Sequence, residues 1–591
     1  MNIKWLFLIS GIGVMLILLI VFSLRSDQHD HGPHISISSI AKDKAAYNPG
    51  EKVQFKGELN TSYTEGFIQV SYYHRGMKID EQTLSINGKS FEWDWLPPSR
   101  DHQGYLVAIS LNNQKQASTI AVDVSSNWTA FPRYGFLSKF SDMKKQDQKT
   151  IIKKLNRYHI NALQFYDWHD EHHLPLKKQD GRVLTNWANV ANKPVSLSTI
   201  ANYIELAHKN GMKTMSYNLL YGSLKEAEAD GVLPSWYVFK DKHQQTIDTH
   251  PLPDDWKSDI FLTDPGNKEW QDYIFYNQQT VFDELSFDGW HLDQLGDRGK
   301  VFNGYGQPMS MTEGFKNFLQ SVKERFPNHT FVMNAVNQYG QQQIAASGVP
   351  FLYTEVWDPI TTYAQLKNIL VANRIDYRKN TVLAAYMNYD KGDQKGFFNT
   401  PGILYTDALI FAHGGAHIEL GEHMLAKEFF PNENLSMPQK LRKKLVHYYD
   451  FLVGYQNLLR GDELSPAEAN LSSENVTFAD KPKKGTVYTF AKKTENKKMI
   501  HLLNYMDASH MEWRDSEGTQ SPPSKTGPLS ITLQESRRIK NIWVASPDNA
   551  QGIPTSVEFE QKAGMLFLTV PNLEYWSMIT IEYEDPNPEM E

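Results

Sequence analysis

Two apolar stretches of this chain carry carboxylates where a β-strand would end. Phe287-Asp-Gly-Trp-His-Leu-Asp-Gln-Leu-Gly-Asp297 holds three aspartates, and Phe351-Leu-Tyr-Thr-Glu-Val-Trp-Asp358 sets a glutamate in a similar frame. Side chains on a strand point alternately to opposite faces. Phe287, Gly289, His291 and Asp293 therefore share one face, with Trp290 and Leu292 on the other. Asp288 falls at the start of the strand, where a structural role is expected. Asp297 lies in the loop beyond, where it either meets a ligand or caps a turn. In the second stretch Tyr353 and Glu355 share a face, and Glu355 ends the strand. Two carboxylates about 5 Å apart can run a two-step glycoside hydrolysis, one attacking the anomeric carbon and the other protonating the leaving oxygen. Their proximity helps, because one negative charge raises the pKa of its neighbour. The same pair could equally form a satisfied polar layer or a cation site, and spacing alone does not choose.

For Asp293 and Glu355 to meet, the strands must converge, and the chain between Arg133 and about 480 has the rhythm for that. RYGFLSKF, NALQFYDW, MKTMSYNLLYG, FDGWHLDQLG, TFVMNAVN, PFLYTEVW, TVLAAYMN and AHIELGE read as eight strands, each set before a helical pattern such as STIANYIELAHKNG or EGFKNFLQSVKERF. That alternation predicts a (β/α)8 barrel, whose working residues sit at the C-terminal ends of the strands. A doubly wound open sheet is the alternative, but no glycine-rich phosphate loop follows the first strand. The loop-face rule adds Gln294, Trp357, Asn388 and Glu419 as further strand-end candidates, with His291 behind Asp293.

The flanks are different. Residues 35–128 show short alternating runs such as GFIQVSYYH, FEWDW and GYLVAISL between turn signals, which predicts an immunoglobulin-like β-sandwich. TVYTFAKK, MIHLLNYM, IKNIWVAS and SMITIEYE predict a second β-sandwich over residues 481–591, leaving 129–480 for the barrel. At the N-terminus the apolar run Trp5 to Leu24 follows a single lysine and precedes Arg25. It reads as an export signal or an uncleaved membrane anchor over residues 1–25, followed by a linker at 26–34, and both place the rest of the chain outside the cytoplasm. His29, His31 and His34 lie in that linker and read as a solvated tether rather than a metal site. A net charge of −8 offers no basic surface for nucleic acid. The absence of cysteine excludes a disulfide, a thiol nucleophile and a thiolate metal site.

FDGWHLDQLGDRG and LYTEVW, with QFYDWHDEHH and SYNLLYG upstream, resemble glycoside hydrolase family 66, the endo-dextranases and cycloisomaltooligosaccharide glucanotransferases. The resemblance implies that Asp293 is the nucleophile and Glu355 the acid/base, and that no metal or organic cofactor takes part. It also implies an innermost glucose subsite at Tyr166, Asp167 and Trp168 and at Tyr217 and Asn218, with Asp167 accepting from hydroxyls and Trp168 offering a flat face. The implied substrate is an α-1,6-glucan such as dextran or its isomaltooligosaccharides, and the implied protein is an extracellular monomer. Cyclising members carry an extra carbohydrate-binding module downstream of the acid/base. Here AHIELGE runs through EHMLAKEFFPNENLSMPQ straight into LRKKLVHYYDFL, which favours an endo-dextranase. A transglycosylase and a surface glucan-binding protein without turnover are the rival readings.

Overall fold

The eight strands expected between Arg133 and residue 480 are all present, and those that pair with one another do so in parallel. The computed structural model describes residues 35–112 and 117–584, so the apolar N-terminal run and His29, His31 and His34 lie outside the described residues. The strands are β1 (Tyr134–Leu137), β2 (Ala162–Phe165), β3 (Lys213–Leu219), β4 (Gly289–Asp293), β5 (Thr330–Met333), β6 (Leu352–Glu355), β7 (Thr381–Ala384) and β8 (Ala416–His417). The first five form one sheet in chain order, and the last three form another. A parallel bridge between Asn334 and Tyr353 connects β5 to β6. The Phe136 amide donates to the Leu420 carbonyl at 3.1 Å, which brings the chain just after β8 back to β1.

Helices follow the strands: α1 (Lys145–Arg157), α2 (Leu197–Lys209), α3 (Lys268–Glu284), α4 (Met311–Arg325), α5 (Gln341–Ala346), α6 (Tyr363–Tyr377), α7 (Thr400–Ala412), α8 (Gln439–Gly454) and α9 (Gln456–Arg460). Some of their starts carry side-chain caps. Asn267 accepts from the Glu269 and Trp270 amides before α3, and Thr362 with Gln365 forms a capping box before α6.

Strand alternation divides the core in two. Tyr134, Phe136, Ala162, Met215, Val332, Tyr353, Val382, Ala384, Tyr386, Ala416 and Ile418 form one cluster, drawn from alternate positions of the strands. Gly289 belongs to that inner layer too, because a Cβ there would stand 2.1 Å from the Thr330 carbonyl oxygen and 2.6 Å from Met215 Cε. Trp290 and Leu292 face the helices. The Trp290 ring packs edge-on to Phe275 of α3 and Phe318 of α4. Truncating so buried a Trp to Ala would cost about 3–5 kcal/mol. Phe287 corrects the alternation: it lies before the strand begins and packs outward on Phe165.

On the N-terminal side the short runs expected to be separate strands join. Val53–His74 is one strand paired with Met77–Trp95, and register shifts between Glu58 and Gly66 let the ladder continue. Arg75 and Gly76, both at positive φ, make the tight turn. This sheet meets the parallel strands through a buried pair, Arg133 with Asp123 at 2.7 Å, which Gln456 also bonds. On the C-terminal side a seven-stranded and a four-stranded sheet share one apolar core.

Candidate active site

A cleft of about 530 Å³ opens at the C-terminal ends of the strands. Asp293 ends β4 and Glu355 ends β6, and both line it. Between them stands Asn334, just past β5. Its side-chain oxygen accepts from the Glu355 backbone amide at 3.1 Å, so its NH₂ must point into the cleft. That single nitrogen donates to Asp293 Oδ1 at 2.8 Å and to Glu355 Oε2 at 2.9 Å. The two oxygens can be no farther apart than those distances end to end. That upper bound fits the roughly 5–5.5 Å of a retaining pair better than the roughly 6.5–9.5 Å that leaves room for an inverting water.

The two carboxyls are held differently. Asp293 accepts two further bonds, from the Tyr217 hydroxyl at 2.6 Å and the Gln294 amide at 2.8 Å. Burial pushes its pKa up, and these donors pull it back by favouring the anion. Burial also pushes Glu355 up, and the Asp293 charge pushes it further, to about 7, against bonds from Tyr386, Asn334 and Trp357. Asp167 is likewise raised to about 8 by burial and by Asp293. Burial and the Asp293 charge thus favour the protonated forms of Glu355 and Asp167, while its own hydrogen-bond donors favour the anion of Asp293. His291 stays neutral, its pKa lowered to about 3 by burial, with the Tyr134 hydroxyl 3.2 Å from Nδ1.

Of the residues expected here from sequence, Tyr166, Asp167, Tyr217, His291, Gln294 and Trp357 line the cleft with the central pair. The upward shift of Asp167 favours its protonated form, which offers an O–H as well as acceptor oxygen. Tyr166 stacks on Phe430 at 4.0 Å and donates to the Glu428 carbonyl, tying β2 to the loop after β8. Gln294 Nε2 is buried without a partner among the described residues.

Four expected positions lie elsewhere. Trp168 is 1% exposed and packs on Phe287 and Trp187. The positive φ of Asp167 reverses the chain after β2, turning the indole away from the cleft. Asn218 lies on the outer face of β3, where it donates to the His172 carbonyl and accepts from the Trp290 indole. Asn388 binds the Asp515 carbonyl at 2.6 Å and receives the Asn399 amide, anchoring the loop around Asp515. Glu419 follows the outward parity of His417 and is buried against Asp407 and Tyr449. Asp288 has the structural role expected, bound by His208, Lys213 and Thr214. Asp297 caps a turn through the Gly299 amide.

Asn334 and Tyr386 were reachable from sequence by the same alternation that selects Asp293. Val332 and Ala384 face inward, so the residues two further on do as well. His250 to Pro253, Trp256 and Glu428 to Phe430 carry no such signal. They come from the long loop after β3 and the loop after β8, which meet where Trp256 and Phe429 stand 5.6 Å apart.

With the geometry in place, comparison with known proteins is informative. The sequence model of glycosyl hydrolase family 66 matches residues 42–580. A cycloisomaltooligosaccharide glucanotransferase of Niallia circulans is 26% identical, the match covering 92% of this chain and 71% of that protein. A dextranase of Streptococcus salivarius is 24% identical, over 83% of this chain and 68% of its own length. Among solved structures, a cycloisomaltooligosaccharide glucanotransferase of a Paenibacillus species, in complex with cycloisomaltoheptaose, superposes with a TM-score of 0.87 at 23% identity. It covers 92% of this chain and 99% of the other, and shows that the two share a fold.

Proposed function

This chain belongs to glycosyl hydrolase family 66 and is a glycoside hydrolase, and from that premise we propose that it is a retaining endo-dextranase acting on internal α-1,6-glucosidic bonds. The observation that carries the reading is the carboxylate pair held by one amide nitrogen at the floor of an open cleft. The eight parallel strands are read as a closed (β/α)8 barrel, supported by the Asn334–Tyr353 bridge and the bond from Phe136 to Leu420.

In the first step Asp293, its anion held by Tyr217, Asn334 and the Gln294 amide, attacks the anomeric carbon from the β face. Glu355 gives its proton to the departing O6, and a β-glucosyl-enzyme ester forms. Glu355, now a carboxylate, takes a proton from water, whose oxygen attacks the same carbon from the α face and frees Asp293. The product keeps the α configuration. Tyr217 and the Gln294 amide steady the nucleophile before and after attack, and Tyr386 orients the acid.

Hydrolysis is favoured over transfer because only a short segment separates β8 from α8. The alignment to the glucanotransferase runs to 701 positions, more than the 591 residues of this chain, so that relative carries internal residues missing here. Transfer to a sugar hydroxyl is the second reading, favoured by the name of that relative. The apolar run from Trp5 to Leu24 supports an extracellular site of action.

The products made from dextran decide between the two. Linear isomaltooligosaccharides are expected, and mainly cyclic products would replace hydrolysis with transfer. Azide tests the roles: with an activated α-glucoside, Asp293→Gly should yield a β-glucosyl azide and Glu355→Ala an α-glucosyl azide. The opposite anomers would reverse the assignment.

A further inference from the structure

A second cavity lies at the other end of the parallel strands, beside the residues that lead into β7 and β8. It has a volume of about 280 Å³, near the lower end of small-molecule sites, roughly 300–1,000 Å³, and shares no lining residue with the cleft. Its walls come from α6, the turn after α7, the end of α9 and the strand Val487–Lys493. Much of the lining is apolar: Leu370, Val371, Leu464, Tyr488 and Phe490, with His413 stacked on Phe490 at 3.9 Å.

Into this apolar space the chain places Arg374, Arg460, Lys492 and Lys367. Arg460 is only 2% exposed. One of its nitrogens donates to the Pro132 carbonyl and the guanidinium stands 5.5 Å from the Phe131 ring, while Nε and Nη2 have no hydrogen-bond partner among the described residues. Lys492 is half-buried and donates to the Ala412 and Leu459 carbonyls. Arg374 gives one nitrogen to the Gly461 carbonyl, and its Nη1 stands 3.6 Å from Asp462, which is 99% exposed. Asp480, at the exposed rim, is the carboxylate in the lining. His413 is held neutral by burial and bonds the Tyr488 hydroxyl.

Buried guanidinium donors without acceptors are costly, and the cost falls when an anion supplies the missing oxygens. The cations also act on one another. Burial, with Arg374 and Arg460 nearby, lowers the Lys492 pKa to about 7, the direction expected where positive charge is in excess. We propose that this cavity binds a small amphipathic anion, an acidic head group on a short apolar body. The head would meet Arg460, Arg374 and Lys492, and the body would lie against Leu370, Leu464 and Phe490. Ile375, 57% exposed at the mouth, extends the apolar surface outward.

The test is calorimetric titration of the full chain with sodium octanoate, 1-octanol and inorganic phosphate. Octanoate is expected to bind saturably, at least tenfold more tightly than the neutral alcohol or the bare anion. Arg374→Met and Lys492→Met should each weaken octanoate at least tenfold and leave turnover of dextran unchanged. Lys492 holds two backbone carbonyls that its loss would leave unbonded, so Ile375→Asp, an exposed change, gives a second readout: the added charge at the mouth should weaken octanoate several-fold. No saturable binding of octanoate overturns the proposal. So does octanol or phosphate binding as tightly, or affinity unmoved in Arg374→Met and Ile375→Asp.

Discussion

Two carboxyl clusters flank the same set of strands, and they differ in what they can do. Asp293 and Glu355 stand at the inner face, and Asp407, His417 and Glu419 stand at the outer face against the helices, with their ligand atoms within 4.8 Å of one another. Burial raises the carboxyl pKa in both. In the outer cluster every member is at most 2% exposed, His417 bonds Asp407 and the Ala385 carbonyl, and Tyr449 closes over Glu419. Nothing the size of a sugar can reach it. The inner pair faces open space and shares a donor that also fixes its spacing. A shifted pKa therefore reports burial, and chemistry requires an open approach as well.

Substitutions can sharpen or break that contrast. The largest effect is expected at the inner pair: Asp293→Ala should lower kcat on dextran by roughly 10⁴-fold or more with an unchanged melting temperature. Glu419→Gln should do the reverse, keeping turnover within a few-fold while lowering the melting temperature. Initial rates and thermal melts of both variants check this, and a loss at Glu419 equal to that at Asp293 would erase the distinction.

A smaller loss is expected from Asn334→Ala. It removes one donor from each carboxyl, and a preorganised donor of this kind is worth about 10²–10³ in kcat. Both carboxyl pKa values should rise, so the acid limb of the pH–rate profile should move to higher pH. An unmoved acid limb would mean that Asn334 is only a spacer.

The smallest effect concerns Asp167. Its folded pKa of about 8 lies above the unfolded value of about 3.9. Between these values the folded chain keeps a proton that the unfolded chain releases, so stability contributed by this group is lost as pH rises from about 4 to 8. Asp167→Asn lacks that slope. Its melting temperature, taken relative to the parent protein, should climb across the same window by a few degrees. A constant difference would show that Asp167 is ionised in the folded protein.

Much of this was legible in the residues because strand parity is a local rule. FDGWHLDQ and FLYTEVW place Asp293 and Glu355 inward and Trp290 outward, and the inner and outer clusters observed follow that parity. The expectation failed where the strand stopped short of the residue in question. Trp168 lies beyond the reversal at Asp167, and Asn388 lies four residues past β7 at a positive φ of its own. For Asn218 and Glu419 the parity was available and points outward; the family resemblance had drawn in Asn218 and the loop-face rule Glu419.

The sequence by itself determined which strands alternate with helices and which carboxylates point inward, because a two-residue period is written into the chain. Tertiary structure alone decided that Asn334 joins the two carboxyls and that Trp256 meets Phe429 over the cleft. It also gathered Arg374, Arg460 and Lys492 from three separate elements around one cavity. Those contacts join residues far apart in the chain, and no local period encodes the distance between them.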